Sequence, residues 1–223
     1  MTITHHPSET VLADFASSVL DEAAALVVAA HVALCPQCQK AVRQFEAIGG
    51  ALLEVEGIGE DMNVTADGLL DRAGPDGDAS PMADTTRVSA VPVADEIQST
   101  PLVDRLINLY EGGKWRWLGP GVHWRSISVP SDEGIRVFML KARSGTSLPH
   151  HRHSGIEWTT VLEGAFEHAQ GRFGPGDFDE ADSSVEHEPV VAKGADCICL
   201  VAMNGRLELQ GVLGRMLQPF VRL

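Results

Sequence analysis

Aromatic residues are scarce, 5% of 223 residues with a single tyrosine. A core must therefore be built mainly from Ala, Val and Leu, which a hydrophobic content of 44% permits. Basic residues are also few: 17 Lys and Arg stand against 31 Asp and Glu, a net charge of −14. That balance argues against direct binding to nucleic acid, whose phosphates would repel the chain. It suits a basic protein partner instead. No apolar run approaches the roughly 18 to 20 residues of a membrane span. The start, MTITHHPSET, lacks a basic segment followed by an apolar stretch, so no secretory signal is read there. A cytoplasmic protein away from membranes is the expectation. Cysteines number four, in two close pairs, Cys35/Cys38 and Cys197/Cys199. Such pairs point to metal or redox chemistry rather than to a disulfide framework.

What is present is unevenly arranged. Residues 1–90 hold 14 acidic against 4 basic side chains, and the remainder 17 against 13. The first 56 residues predict helices. Val11, Leu12, Phe15 and Val19 fall on one helical face. Ser18, three residues before Asp21, predicts the cap of an Ala- and Leu-rich second helix. Pro36 predicts the first turn of a third, where its missing N–H costs nothing. Val42, Phe45, Leu52 and Leu53 supply that helix's apolar face, with Gly49-Gly50 as a weak point. Residues 57–95 turn rich in Gly, Pro, Asp and Ser and read as an acidic linker, with a short helix from Val64 to Arg72. From about residue 97, short β-branched and alternating runs predict an all-β sandwich or barrel. The expected division is a helical domain over 1–75, a linker over 76–96 and a β domain over 97–223. The fold class is thus a multidomain protein of α and β parts.

Two constellations carry chemistry. In the β half, His151-x-His153 on a strand places both imidazoles on one face, since side chains alternate with a period of two. Glu157, beyond a Ser-Gly turn, can return to that face, and His187 follows the turn FGPGDF. Three imidazoles and a carboxylate suit a divalent first-row metal: zinc first, with iron, manganese or nickel as alternatives. In the α half, His31 and Cys35 are four residues apart on one helix face. Cys38 follows through a Cys-Pro-Gln-Cys knuckle. Three such donors leave one tetrahedral position open, for which His6 is the candidate and His5 the rival. An Ala-rich helix before the pair, rather than a strand, favours zinc over a thioredoxin-type dithiol. Cys197 and Cys199 alternate on an apolar strand and read as core packing. His123, His150 and His168 have no ligand context.

The stretch from Gly145 to Gly164 matches Gly-x5-His-x-His-x3-Glu-x6-Gly, and so resembles the cupin family, which implies a jelly-roll barrel. His-x3-Cys-x2-Cys resembles the zinc-binding anti-sigma family, which implies a small helical bundle with an upstream histidine closing the site. Together with GRFGPGD, DCICL and LQPF, the pair resembles the ChrR group of anti-sigma factors. That resemblance implies a non-enzyme that sequesters an extracytoplasmic-function (ECF) sigma factor. It also implies release on oxidative signals such as singlet oxygen or organic peroxides, sensed through the cupin. The alternative is a cupin metalloenzyme, a dioxygenase or isomerase, with a zinc-stabilised interaction module.

Overall fold

The structure, a computed structural model, describes residues 2–55, 113–131 and 134–210. The expected helix at Val64 to Arg72, the linker, the domain boundaries at 75/76 and 96/97, and the LQPF motif lie outside the described residues. Among the described residues, 2–45, 113–131 and 134–210 belong to one compact unit.

Three helices come first: α1 (Glu9–Ala16), α2 (Glu22–Leu34) and α3 (Pro36–Val55). Ser8 caps α1, its hydroxyl accepting from Val11 N–H. The helix stops at Ala16 because Ser18 enters the left-handed region, at φ 57°. Val19 therefore leaves the predicted face and is 71% exposed. Asp21, not Ser18, caps α2: its carboxylate accepts from Ala23 N–H at 2.9 Å. The acid wins because a carboxylate at a helix N-terminus satisfies an orphan donor and opposes the dipole. Ser131 Oγ also donates to Asp21. Asp21→Ala is expected to cost about 1 kcal/mol, read as a lower urea midpoint with an unchanged slope. Pro36 opens α3 as predicted, and the helix runs through Gly49 and Gly50 to Val55. Val42 is buried and Phe45 packs against the core, but Leu52 and Leu53 are exposed.

Twelve strands form the second half among the described residues. A six-stranded sheet has the order β1-β2-β3-β11-β5-β8. Its members are β1 (Arg116–Gly119), β2 (Val122–Ile127), β3 (Arg136–Ala142), β11 (Cys197–Met203), β5 (Glu157–Glu163) and β8 (Phe178–Ala181). Two three-stranded sheets accompany it. One joins β10 (Val190–Val191), β6 (Phe166–His168) and β7 (Gly171–Phe173); the other joins β12 (Leu207–Leu209), β4 (His151–His153) and β9 (Glu186–His187). Every pairing is antiparallel. Strands β2, β3, β5, β6, β7, β11 and β12 fall within the runs that alternation and punctuation marked out, and β4 carries the His-x-His pair; β1, β9, β10 and most of β8 lie outside those runs. Gly164, which closes the His-x-His motif, turns the chain at φ 69°, and a Cβ there would collide with the Asp196 carbonyl.

Helix α2 reads as apolar nearly all round; seven of its residues, from Ala23 to His31, are buried, while Ala25, Ala29, Val32 and Ala33 form a half-buried stripe. It lies on one face of the large sheet. Val27, Val28 and Ala30 share a core with Met139, Trp158, Phe178 and Leu200. The Thr160 hydroxyl donates to the Val27 carbonyl at 2.8 Å across this interface. The sheet's other face, with Phe138, Val161 and Val201, packs against Phe166, Phe173 and Val191 of the three-stranded sheet.

The N-terminal segment is pinned along β8, the edge strand. Asp177 accepts from Thr4 N–H at 2.7 Å and from His5 N–H at 2.9 Å. Phe178 N–H donates to the His5 carbonyl, and Ser8 N–H donates to Glu180. An edge so covered cannot pair with another chain. Gly176, at φ 89°, lets Ile3 cross closely: an added Cβ would meet the Ile3 side chain at 2.5 Å.

Two candidate metal centres

The helices bring His6, His31, Cys35 and Cys38 together, with one donor atom of each lying within 4.8 Å of the others. His6 arrives from the pinned segment, His31 from α2, Cys35 from its C-cap and Cys38 from the first turn of α3. His5 does not join them. Its ring stacks on Phe173, with centroids 4.1 Å apart, and its Nδ1 faces Asp177. Of the two histidines that the sequence offered, the fold brings His6 to the group and turns His5 away from it.

The donors fit a metal. His31 Nδ1 lies 2.6 Å from the Gly176 carbonyl, which can only accept, so the proton sits on Nδ1. The lone pair of Nε2 then faces Cys38 Sγ at 3.2 Å. His6 Nδ1 lies 3.4 Å from both sulfur atoms. Bonds of about 2.0 Å to nitrogen and about 2.3 Å to sulfur give a tetrahedral N···S edge of about 3.5 Å. Burial holds the His31 imidazole neutral, with its pKa lowered to about 4. Burial, and then the neighbouring Cys35, push the Cys38 thiol up to about 12 in the metal-free chain. The geometry is that of a four-donor cage with no position left for substrate.

The second group is His151, His153, Glu157 and His187, again with donor atoms within 4.8 Å of one another. The strand β4 carries both outer residues of His-x-His inward, leaving Arg152 exposed between them. Glu157 opens β5, and His187 ends β9, paired directly with His151. His151 Nδ1 donates to the Pro149 carbonyl at 2.6 Å, so its Nε2 lone pair points inward. His153 Nδ1 is turned to Met203 Sδ at 3.2 Å, and its Nε2 meets the Glu157 carboxylate. His151 Nε2 and His187 Nε2 face each other at 3.0 Å. Lone pairs converging in a buried space are what a cation relieves. Burial lowers the pKa of His187 to about 4; burial also lowers that of His151 below its ordinary value. For Glu157, burial pushes upward, but His153, followed by His151 and His187, holds the carboxyl at about 2. Neutral His151 and His187 beside an ionised Glu157 are in the state that binds a metal.

A cavity of about 50 Å³ adjoins this cluster, lined by His151, Glu157 and His187 on one side and by Leu148, Cys197 and Cys199 on the other. Drug-sized ligands occupy about 300–1,000 Å³. The cavity suits water or a very small molecule. Cys197 and Cys199 lie on the same face of β11, with sulfurs 3.6 Å apart. The hydrogen bond shared with Cys197, and then burial, raise the Cys199 thiol pKa, the opposite of what activates a nucleophile.

Sequence reasoning passed over three residues that the fold draws to these clusters. Gly176 accepts from His31. His168, read as an ordinary histidine, is buried beside His187 and joined to Asp179 at 3.0 Å. The available signal was Asp177-x-Asp179, which places two acids, 4% and 6% exposed, two residues apart where β8 begins.

Among the described residues, no single helix is long and apolar enough to cross a membrane. Comparison with known proteins gives a consistent result. Residues 106–206 match the family described as the ChrR Cupin-like domain. The chain is 37% identical over 228 residues to the anti-sigma-E factor ChrR of Cereibacter sphaeroides, covering all of both chains. It also matches a chain from the crystal structure of Rhodobacter sphaeroides SigE in complex with the anti-sigma ChrR. There the identity is 34% and the TM-score 0.68, covering 91% of this chain and 100% of that one. Helices with a His/Cys cluster, followed by a cupin sandwich and full-length similarity, lead to one conclusion: the chain belongs to the ChrR family of anti-sigma factors.

Proposed function

We propose that this chain sequesters an ECF-type sigma factor in the cytoplasm through zinc-loaded N-terminal helices, and that its cupin carries a second metal that tunes release. The observation that carries the reading is the closed cage of His6, His31, Cys35 and Cys38 in a chain of this family. Two thiolates and two imidazoles are the donor set of a structural zinc site, whose binding energy is folding energy. The acidic balance of residues 1–90 suits the basic surfaces with which a sigma factor meets polymerase and DNA. The solved relative, bound to SigE, supports the class of partner.

In the cupin, His151, His153, Glu157 and His187 hold the second ion. Zinc is the first choice, and iron, manganese and nickel are chemically admissible. The ion would fix the relative positions of β4, β5 and β9, which carry these ligands. An oxidative signal received there, singlet oxygen or an organic peroxide, ends in release of the sigma factor.

Co-expression with the cognate sigma factor followed by metal analysis tests both halves. The expected complex holds one zinc in the helical cage and one divalent ion in the cupin. A stable complex free of zinc would remove the structural role. His153→Ala is expected to keep sigma binding and to lose the oxidant response. A variant that releases the sigma factor like the parent would take sensing away from the cupin metal.

A further inference from the structure

Behind the cupin cluster lies a second layer of polar side chains. His187 is buried, and its Nε2 is turned to the cluster, while its Nδ1 is buried with no hydrogen-bond partner. Beside His187 stand His168 and Asp179, with a ring nitrogen of each histidine and a carboxylate oxygen of Asp179 all within 4.8 Å of one another. The protons can be placed. Gln170 N–H donates to His168 Nδ1 at 3.3 Å, so the His168 proton is on Nε2. That proton goes to Asp179 Oδ2 at 3.0 Å. The His168 ring lies beside Phe166 and Phe173, nearly parallel to both at interplanar angles of 15° and 13°, and those two rings stack on each other as well. The carboxylate therefore meets, on one side, a donor oriented by ring packing. A carboxylate offers about four acceptor positions, so one His168 proton does not saturate it.

We propose that Asp179 is a positioning residue for the cupin metal: it accepts the Nδ1 proton of His187 and so commits the Nε2 lone pair to the ion. Ligating histidines commonly hand their second ring proton to a carboxylate or carbonyl, which sets tautomer, ring orientation and basicity. His151 already does this through the Pro149 carbonyl, and His31 in the other cage through Gly176. Asp179 supplies the acceptor that His187 otherwise lacks. His168 acts one step further out, by aiming the carboxylate. The same three residues are not a third metal site, because an ion on His168 Nε2 would have to displace the proton that Gln170 N–H keeps there.

The inference rests on the cupin cluster being a metal site, and the experiment separates the two. The full-length protein is loaded with zinc, and the affinity of the cupin site is read by chelator competition, with His153→Ala marking which ion belongs to the cupin. If the parent holds no ion that His153→Ala removes, the metal reading fails and Asp179 is not at issue. Given that ion, Asp179→Ala is expected to weaken it about 10- to 100-fold. Asp179→Asn, whose amide oxygen still accepts, should recover most of that loss. Imidazole 15N spectra of the loaded parent should show His187 protonated at Nδ1, and Asp179→Ala should shift that signal while leaving His151 unchanged. An unchanged His187 signal, or cupin affinity equal to the parent in Asp179→Ala with the helical cage still loaded, overturns the proposal. So does a third ion in the parent that Asp179→Ala removes, which would make the trio a metal site.

Discussion

Cys38→Ser is expected to strip zinc from the helical cage and to abolish capture of the sigma factor. Cys38 is the donor on which the others converge. His31 Nε2 and His6 Nδ1 both approach its sulfur, and its own N–H points at Cys35 Sγ. Serine keeps the volume but gives no thiolate at accessible pH. Structural zinc sites are worth on the order of 10 kcal/mol at neutral pH. Losing even a quarter of that, about 2.5 kcal/mol, is nearly a hundredfold in metal affinity. The pH dependence has a definite sign. In the metal-free chain the Cys38 thiol, raised to about 12 by burial and by Cys35, is protonated at neutral pH. Loading must expel that proton, so apparent zinc affinity falls as pH falls, and calorimetry in buffers of different ionisation enthalpy should register the release. Chelator competition and sigma pull-down check the variant. Retained zinc with retained capture would remove the cage from the mechanism.

The second large effect is expected at Phe178. Its ring is among the largest fully buried side chains, 5.8 Å from His31 and 6.2 Å from Trp158 between centroids. It fills the junction of α2, β5 and the start of β8. Truncating a buried phenylalanine to alanine costs about 3–5 kcal/mol in lost transfer energy and cavity formation. Phe178→Ala should lose that much in urea denaturation, while Phe178→Leu loses a fraction of it. The backbone N–H to the His5 carbonyl is untouched by either change, so the comparison isolates packing. A loss below about 1 kcal/mol in Phe178→Ala would mean that α2 is held to the sheet by other contacts.

The donor residues were the most legible part of the sequence. His151, His153 and Glu157 follow from strand alternation and a turn, and His31, Cys35 and Cys38 from helix periodicity and a proline start. Choosing His6 over His5 required the third dimension, since adjacent residues differ only in which way each points once Asp177 grips the backbone at Thr4 and His5. Val19 misled because periodicity continues across Ser18 while the backbone does not. Leu52 and Leu53 misled in a related way, as apolar spacing marks a face without saying whether anything covers it. EAAALVVAAHVAL has no polar side, which indicates a mostly buried helix but neither which stripe stays partly open nor the identity of the cover. His168 and Asp179 stayed hidden because an outer hydrogen-bond layer has no spacing rule of its own.

Strand β11 shows what that cover entails. All seven of its residues are buried: Cys197, Cys199, Val201 and Met203 on one face, Ile198, Leu200 and Ala202 on the other. In an antiparallel sandwich with a wet outer face, alternate positions would be free to drift toward polar residues. Here the helix that carries His31 occupies that side, so Leu200 has no solvent to turn to. Neither phase of the strand can take a charge without leaving it unpaired in the interior. The helical cage and the cupin are thereby bound in the substitutions they can accept, and a change in the lining of α2 constrains what β11 may become.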